Sequence, residues 1–393
     1  MPAPVDAAPA GPVTYPDTGL GRGWEATALM VSALLLLSFG LVTLYSASGV
    51  LAQRQGLPDW YYVLRQATGA AAGIGLMLAA SRVPYRWWRL TAWPLLLAVW
   101  VLLVLVVLPW TEGIAPVING SRRWIDLGVT FQPSEVAKVA VVVWTAALAV
   151  KKQECFRSLT RGLLPFLLIW GAVVVPVLLE PDLSTACLLL LLGGLVVFTA
   201  GGRIAHFLVL GMLGAPVVGA QLDVGFRAQR MASFLEPGAD PTGAGFQVHQ
   251  SLVALGSGGV TGVGFGQGRQ KFGFLPEPHN DFIFSLIGEE WGLVGVLFVV
   301  ALYVTVVLVG FRIARRAPDL FGQLLAVGFT NLIAIQAVLH MGVGLGLIPP
   351  TGLALPLISY GRSNLLVTLL AFGILMSVAR AAPGGSAGRV RSA

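Results

Sequence analysis

The hydrophobic pattern of this chain is a series of long apolar runs separated by shorter polar segments. A helix that spans a bilayer needs roughly 20 mostly apolar residues, and a window of that length finds ten candidates along the 393 residues. The pattern therefore predicts an all-α integral membrane protein with ten transmembrane helices. The predicted helices cover residues 27–50, 66–81, 88–108, 134–150, 162–179, 183–201, 204–222, 282–310, 322–346 and 363–380.

The composition supports lipid as the surrounding solvent. Hydrophobic residues make up 56% of the chain and charged residues only 11%, whereas a soluble domain usually carries about a quarter charged residues. The net charge of +7 does not indicate nucleic-acid binding, because no basic run is interleaved with aromatic residues. The two cysteines, Cys155 and Cys187, have no metal-ligand or redox spacing.

The ends of the chain differ from its middle. Residues 1–23 are rich in Pro, Ala and Gly and predict a disordered tail, because such a composition cannot build a core. This tail lacks the compact regions of a signal peptide, so the first hydrophobic helix is expected to stay in the membrane. We expect a membrane domain over 24–380 and a second tail over 381–393, with both tails in the cytoplasm.

The distribution of Lys and Arg predicts the orientation. With the N-terminus inside, 15 of the 25 basic residues fall in short cytoplasmic segments, as the positive-inside rule requires. This N-in/C-in arrangement makes 223–281, between helices 7 and 8, a large extracytoplasmic loop. The other ten basic residues face the outside or lie within the bundle near it. Either an anionic substrate or pairing with outer acids such as Asp59, Asp126 and Glu236 explains them. These ten are Arg54, Arg65, Arg122, Arg123, Lys138, Arg227, Arg230, Arg269, Lys271 and Arg362.

Polar side chains concentrate in the stretch 118–138, "INGSRRWIDLGVTFQPSEVAK". Arg122 and Arg123 carry forked donors that suit phosphate, although contact with lipid headgroups is the alternative. Glu135 and Lys138 are three residues apart and share a helix face. A buried pair of this kind either neutralises itself and pins two helices or contacts substrate, and the two roles are compatible.

Three more positions near predicted helix ends are candidates for simpler roles. Ser134 is expected to cap the fourth helix and Asp182, in "EPDLSTA", the sixth. Arg65 lies at the outer entry of the second helix, where a snorkelling arginine is the default explanation.

Two segments precede the eighth predicted helix. The glycine-heavy "LGSGGVTGVGFGQGRQKFGFLPE" lacks the Gly-Lys-Ser/Thr ending of a phosphate loop, so its glycines predict close backbone packing. Lys271 and Arg269 are then available to anionic groups. In "LPEPHNDFIF", Asp281 stands at the mouth of the helix. It is either a helix cap or a partly desolvated carboxylate that acts as a general base.

Several motifs then converge on one family. The chain resembles the SEDS family (shape, elongation, division and sporulation), and most closely its cell-division branch, with the elongation branch second. The residues that carry the resemblance occur in family order between 118 and 364: "NGSRRWIDLG", "QPSEVAK", "EPDLSTA", "GFQVHQSLVALGSGGVTGVGFGQGRQK", "LPEPHNDFIFSLIGEEWG" and "GLIPPTGLALPLISYGRSN".

The resemblance implies a peptidoglycan glycosyltransferase that polymerises lipid II on the outer face of the bacterial cytoplasmic membrane. Asp281 occupies the position of the family's catalytic acid, and the matching positions of other motifs are Arg65, Arg123, Glu135 and Lys138. Our hypothesis is that Asp281 activates the 4-hydroxyl of an acceptor sugar. Polyprenyl diphosphate is the leaving group, and cationic side chains stabilise its negative charge. The candidates are Arg65, Arg123, Lys138 and Lys271.

The resemblance also implies cofactors and partners. No carboxylate cluster indicates a tightly bound metal, so a divalent cation (Mg²⁺ or Mn²⁺) is expected only with the substrate diphosphate. The expected partners are lipid II and an undecaprenyl-type carrier, a class B penicillin-binding transpeptidase and divisome proteins, without nucleic acid. Alternatives are a lipid-precursor flippase, the same chemistry in elongation, or a non-catalytic scaffold. A flippase predicts an inverted repeat, and no such symmetry is visible in the sequence.

The chain departs from the family pattern at two positions. The usual "ISYGGSS" is "ISYGRSN" here, so that Arg362 replaces a glycine and calls into question any positive-φ geometry at that turn. The usual Thr before the catalytic Asp is Asn280, which keeps a hydrogen-bonding group. Glu277 and His279 have no assigned role beyond shaping this loop.

Overall fold

The computed structural model describes residues 23–382, except for 118–120, 127, 129, 157, 276 and most of 223–243, where only 225, 228, 230, 231 and 234 are described. The two predicted tails therefore lie outside the described residues, apart from their innermost positions.

Each of the ten predicted segments coincides with an α-helix. The helices are α1 Trp24–Arg54, α2 Tyr61–Arg82, α3 Trp87–Val107, α4 Pro133–Lys152, α5 Leu164–Leu179, α6 Leu183–Thr199, α7 Ile204–Leu222, α8 Ala244–Ser257, α9 Ile283–Arg316, α10 Leu320–Gly344 and α11 Arg362–Ala381, where α8 is additional. By length and composition, eight of the described helices are long and apolar enough to cross a membrane, and α6 and α7 are shorter apolar helices. The count of ten spans stays a prediction.

The prediction of 223–281 as a loop is incomplete, because part of it is helical. Helix α8 lies within this stretch and packs against α9, and a short 3₁₀ helix, Gln270–Phe272, follows. The buried Ser251 of α8 donates a hydrogen bond from Oγ to the carbonyl oxygen of Gly344, at 2.7 Å. A second small element, β1 (Ile125–Asp126) paired antiparallel with β2 (Thr130–Phe131), precedes α4.

The centre of the bundle is formed by α4, α10 and α11, whose side chains are mostly buried. Helix α2 packs closely along α11 because small residues face the contact: a Cβ at Gly373 would collide with the backbone of Met77. By contrast, α3 exposes Leu90 and Leu97. Close packing of small residues is the means by which helices associate where lipid removes the hydrophobic drive between them.

The bundle has two distinct ends. At one, which we call the arginine-rich end, Glu25 of α1 pairs with Arg312 and Arg316 of α9, and Arg86 pairs with Asp319 before α10. At the opposite end α2, α4, α9 and α11 begin and α1 ends. We call it the Asp281 end.

Close backbone packing explains the glycines before α9, as the sequence predicted. Helix α9 contains a kink at Gly292 (φ 62°, ψ −160°), and the loop pairs with it there. The amide of Val263 donates to the carbonyl of Glu289 at 2.9 Å. A Cβ at Gly262 (φ +83°) would collide with the carbonyl of Glu290, so only glycine permits both the conformation and the approach.

Candidate active site

Asp281 lies in a tight turn directly before α9 and is partly buried. The amides of Asn280 and Asp281 both donate to the carbonyl oxygen of Glu277, at 3.0 and 3.2 Å. Helix α9 begins at Ile283, and its N-cap residue is Phe282, with no side-chain cap hydrogen bond. The alternative that Asp281 caps this helix is therefore wrong, and its carboxylate is free for another role.

The surroundings of Asp281 shift its proton affinity. Burial raises the pKa of this carboxyl to about 6, the Glu277 charge adds to the rise, and Arg230 and Arg123 oppose it. A carboxyl with this pKa is ionised at neutral pH but is a much stronger base than an exposed aspartate, which suits general base catalysis.

Arg123 is held beside the turn between α5 and α6. Its Nε donates to the carbonyl of Glu180 at 2.8 Å and its Nη2 to that of Pro181 at 2.9 Å. In the described part of the chain these bonds occupy one edge of the guanidinium, so Nη1 can still donate to a phosphate.

The predicted cap of α6 by Asp182 is confirmed, since Asp182 Oδ1 accepts from the amide of Thr185 at 3.0 Å.

Glu180, in the same turn, is a carboxyl that the sequence did not single out. It is 1% exposed, and neither carboxyl oxygen has a hydrogen-bond partner among the described residues. Burial raises its pKa to about 9, Asp182 adds to the rise, and Arg123 opposes it. Glu180 is therefore protonated at neutral pH.

Arg65 lies near the start of α2, on another side of the site. Its Nη1 donates to the Tyr61 hydroxyl at 3.0 Å, and its guanidinium lies 5.4 Å from the centre of that ring. Burial raises the pKa of Tyr360, and the charges of Arg65 and Arg362 oppose the rise. Since the amide of Tyr360 donates to the carbonyl of His279 at 3.0 Å, Arg65 belongs to the surroundings of the turn that carries Asp281.

Glu135 and Lys138 form a buried ion pair at the start of α4. Lys138 Nζ lies 2.7 Å from Glu135 Oε1, and Asn364 Nδ2 donates to Glu135 Oε2 at 3.0 Å. The predicted pairing is confirmed, and the pair also pins α4 to α11. The prediction that Ser134 caps α4 is wrong, because the N-cap residue is Gln132, whose Nε2 donates to Ser134 Oγ at 3.0 Å.

Arg362 is the first residue of α11, and its φ is not positive. The replacement of a glycine by Arg362 therefore causes no backbone strain. Its Nη2 donates to Thr130 Oγ1 at 3.0 Å, while Ser363 Oγ accepts from the amide of Gln132, also at 3.0 Å. These contacts fasten the segment before α4 to the start of α11.

Lys271 makes its contacts with a different set of residues from those described above. It is 7% exposed, and its Nζ donates to Ser46 Oγ, the Gly266 carbonyl and Glu290 Oε1, at 2.7, 2.8 and 2.8 Å. All three of its donors are thus used within the protein. Arg122, the other basic residue of "RRW", forms an ion pair with Glu112 and donates to the carbonyl of Leu108 at 3.3 Å.

Sequence reasoning had named Arg230 only among the outer cations, and it missed Glu180, Gln66 and Ser359. Arg230 is electrostatically coupled to Asp281, although 51 positions separate them along the chain (281 − 230). Gln66 and Ser359 are both buried and contact each other. The sequence signal was the position of Gln66 beside Arg65 and of Ser359 within "ISYGRSN".

Fold and site together define a multi-pass helical membrane protein with a perturbed carboxylate at one end of the bundle. The chain belongs to the FtsW/RodA/SpoVE family, whose model, described as "Cell cycle protein", matches residues 26–383.

Two curated relatives illustrate the similarity. The probable peptidoglycan glycosyltransferase FtsW of Geobacter sulfurreducens is 42% identical over 352 residues, which are 89% of this chain and 94% of the relative. Stage V sporulation protein E of Bacillus subtilis is 42% identical over 354 residues, which are 90% and 96% of the two chains.

Solved structures agree with the fold. A chain from a peptidoglycan synthase complex, solved to explain the coordination of polymerization and crosslinking, superposes with a TM-score of 0.74 at 32% identity, covering 90% of this chain and 96% of that one. The rod shape determining protein RodA of Thermus thermophilus superposes with a TM-score of 0.64 at 28% identity, covering 93% and 98%.

Proposed function

We propose that this chain is a peptidoglycan glycosyltransferase that polymerises lipid II into glycan strands at the outer face of the cytoplasmic membrane during cell division. The observation that carries the proposal is Asp281, a carboxylate that caps no helix and has a pKa raised to about 6. The family membership, with relatives named peptidoglycan glycosyltransferase FtsW, supports the reaction class.

In the proposed reaction Asp281 removes the proton from the 4-hydroxyl of the acceptor lipid II. The oxygen attacks the anomeric carbon of the growing chain, and the bond from that carbon to the polyprenyl diphosphate breaks. The electron pair leaves with the diphosphate, and the proton remains on Asp281 until solvent removes it. General base catalysis of this kind contributes about 10²–10⁴-fold in rate.

The leaving diphosphate needs positive charge nearby. Arg123 supports this role, because it lies in the electrostatic surroundings of Asp281 and its Nη1 can still donate. Arg65 is the second candidate, on the α2 side. Lys138 and Lys271 form buried ion pairs with Glu135 and Glu290, so we propose a structural role for both lysines rather than contact with the diphosphate.

A divalent cation such as Mg²⁺ or Mn²⁺ would be carried by the diphosphate, whose hard oxygen atoms are ligands that these ions prefer. Within the described residues no three His, Cys, Asp or Glu side chains come together as a ligand set for a metal ion.

We propose the N-in/C-in orientation, with ten spans and the Asp281 end outside. Arg86, Arg312, Arg316 and Arg380 lie at the other end of the bundle, as the positive-inside rule requires for a cytoplasmic face. The lipid-linked substrate then reaches Asp281 from the outer leaflet.

The test is a polymerisation assay with purified full-length protein, lipid II and gel separation of the glycan products. Asp281→Asn keeps the shape of the side chain but removes its basicity, so we expect glycan synthesis to fall at least about 100-fold. Asp59→Asn is the matched control, since Asp59 precedes α2 at the same end of the bundle. Wild-type synthesis by Asp281→Asn would refute the assignment.

Two further measurements address the alternatives. Movement of labelled lipid II across vesicles without polymer would favour a flippase instead. We also propose a class B penicillin-binding transpeptidase as partner, which the likeness to a chain of a peptidoglycan synthase complex supports. Comparing the assay with division and elongation transpeptidases tests the division role, since only the cognate partner should change the rate.

A further inference from the structure

The turn that carries Asp281 is fastened by the loop before α11. Ser359 Oγ donates a hydrogen bond to the carbonyl of Asn280 at 2.9 Å, and the amide of Tyr360 donates to the carbonyl of His279 at 3.0 Å. The same Ser359 oxygen accepts from the amide of Leu355, also at 2.9 Å. One hydroxyl therefore closes its own loop and holds the peptide bond directly before Asp281.

Three rings reinforce this contact. The centres of Tyr62 and Tyr360 lie 5.3 Å apart with the rings edge to face. His279, which is 3% exposed, has its ring centre 5.4 Å from Tyr62 and 5.6 Å from Tyr360. Offset and edge-to-face pairs at these distances attract each other. His279 therefore fixes the turn to α2 and to the loop before α11 at once.

Gln66 of α2 stands behind the loop. It is 1% exposed, its Nε2 donates to the carbonyl of Ser359 at 3.1 Å, and its Oε1 accepts from the amide of Gly361 at 3.2 Å. One side-chain amide thus holds the backbone on both sides of Tyr360. Because α2 packs along α11, this hold is attached to a rigid part of the bundle.

Backbone strain occurs on both sides of the contact. Glu277 has φ 48° and Leu357 has φ 67°, values that residues other than glycine rarely adopt. Such conformations persist only where the surrounding contacts determine them, and they cluster at functional sites. The hydrogen bonds and ring contacts between the two turns are contacts of this kind.

We propose that Ser359, supported by Gln66, is a positioning residue that sets where the Asp281 carboxylate lies and keeps water from it. This inference rests on the proposed function. Neither side chain is placed to react, and each acts through the backbone of the turn. A displacement of a reacting group by about 1 Å can reduce a rate about 100-fold, so the loss of one such hydrogen bond is measurable.

The test compares Ser359→Ala with Ser377→Ala in the full-length protein, using lipid II polymerisation. Ser377 is a matched control because it is also buried and donates to a backbone carbonyl, that of Val83 at 2.7 Å, at the arginine-rich end. We expect Ser359→Ala to lower kcat about tenfold or more while KM changes less than about twofold. We expect Ser377→Ala to match wild type, and Ser359→Thr, which restores a hydroxyl, to recover most of the lost rate.

A pH profile separates positioning from a general structural loss. Without the Ser359 hydroxyl the turn loosens and water reaches the carboxylate, so the acid limb of the Ser359→Ala profile should move to lower pH. The limb of Ser377→Ala should stay in place. If Ser359→Ala does not unfold cooperatively, Gln66→Glu replaces it in the test and is judged by the same changes in kcat and in the acid limb. This variant loses the donor to the Ser359 carbonyl and keeps an acceptor for the Gly361 amide.

The outcomes distinguish the two hypotheses. If Asp281→Asn is inactive but Ser359→Ala or Gln66→Glu has wild-type kcat and an unmoved acid limb, the positioning role is wrong and the proposed function stands. If Asp281→Asn polymerises lipid II like wild type, the assignment of Asp281 as the base is wrong, and if the wild-type protein forms no glycan from lipid II, the proposed function itself is wrong.

Discussion

Both ends of the helical bundle carry ion pairs, and the most deeply buried of those in the described residues lie at the Asp281 end. At the arginine-rich end the Arg86–Asp319 pair is open to solvent, with side chains 69% and 35% exposed. At the Asp281 end the Lys138–Glu135 and Lys271–Glu290 pairs have side chains no more than 9% exposed. Exposed pairs contribute little to stability, whereas buried charges are costly and persist where they pair or serve a function.

The turns at the two ends also differ in the backbone conformation of their described residues other than glycine. Residues 83–86 and 317–319 connect helices at the arginine-rich end, and none of them has a positive φ. At the Asp281 end Glu277 and Leu357 do. The difference supports the proposed orientation, with the arginine-rich end in the cytoplasm, and the proposed site at the Asp281 end.

The largest expected effect comes from breaking the buried pair of α4. Lys138→Met leaves the Glu135 carboxylate buried without its cation, and such a change costs about 3–5 kcal/mol of stability. Thermal unfolding of the purified protein in detergent measures it. Arg312→Met at the arginine-rich end should cost less, because Glu25 keeps its contact with Arg316.

A double variant sharpens this result. Glu135→Gln combined with Lys138→Met removes both charges and keeps an acceptor for Asn364. We expect it to recover more than about half of the stability that Lys138→Met loses. A single Lys138→Met variant that unfolds at the wild-type temperature would show that the pair has no such role.

The pH dependence of the reaction is the next largest effect. In the proposed reaction Asp281 must be ionised to accept a proton. Since burial raises its pKa from 3.8 to about 6, kcat/KM should rise with pH through about 6. Below that value the rate should fall about tenfold per pH unit. A pH–rate profile with lipid II checks this, and a limb centred near 4 would contradict the buried setting.

Asp319 at the arginine-rich end contributes nothing to that profile. Partial burial pushes its pKa upward, but hydrogen bonds from the Gly322 amide, the Tyr85 hydroxyl and Arg86 outweigh this and hold the pKa below its usual value. Asp319 therefore stays ionised across the range in which Asp281 titrates.

A pH-dependent change in stability is expected at Glu180. Its pKa is 4.5 as an exposed group and about 9 in the fold, so the folded protein retains a proton that the unfolded chain has lost. Stability therefore falls as pH rises from 4.5 to about 9. Glu180→Gln removes this dependence. The thermal unfolding midpoint of the variant minus that of wild type should therefore become more positive as the pH is raised from about 5 to about 8.

Glu154→Gln is the control for this prediction. Glu154 is exposed at the opposite end of the bundle, so its midpoint should follow wild type at every pH. Equal behaviour of the two variants would contradict a protonated Glu180.

The smallest effect is expected at the Asp319 cap. Asp319 Oδ1 accepts from the amide of Gly322 at 2.8 Å and so caps α10. Asp319→Ala should cost about 1 kcal/mol of stability and leave polymerisation unchanged, as thermal unfolding and the glycan assay would show. Asp319→Asn preserves a good cap and should resemble wild type. A large loss of activity in Asp319→Ala would erase the distinction between the two ends.

Much of the fold could be predicted because a spanning helix is a local property. A run of about 20 apolar residues satisfies its own backbone hydrogen bonds and matches the bilayer, so each predicted segment coincides with a helix. Helix α8 was missed as an element, because its 14 residues are too few to span a bilayer and it adjoins a glycine-rich stretch. Its position depends on packing against α9, which no local pattern encodes.

The sequence by itself determined the helices, the Glu135–Lys138 pair and the place of Asp281 at the mouth of α9. Only the tertiary structure decided that Asp281 caps nothing, that Lys271 is committed to Ser46 and Glu290, and that Ser359 holds the peptide bond before Asp281. The physical reason is sequence separation. Ser359 and Asn280 are 79 residues apart, and Lys271 and Ser46 are 225 apart, so these contacts exist only once the helices have packed.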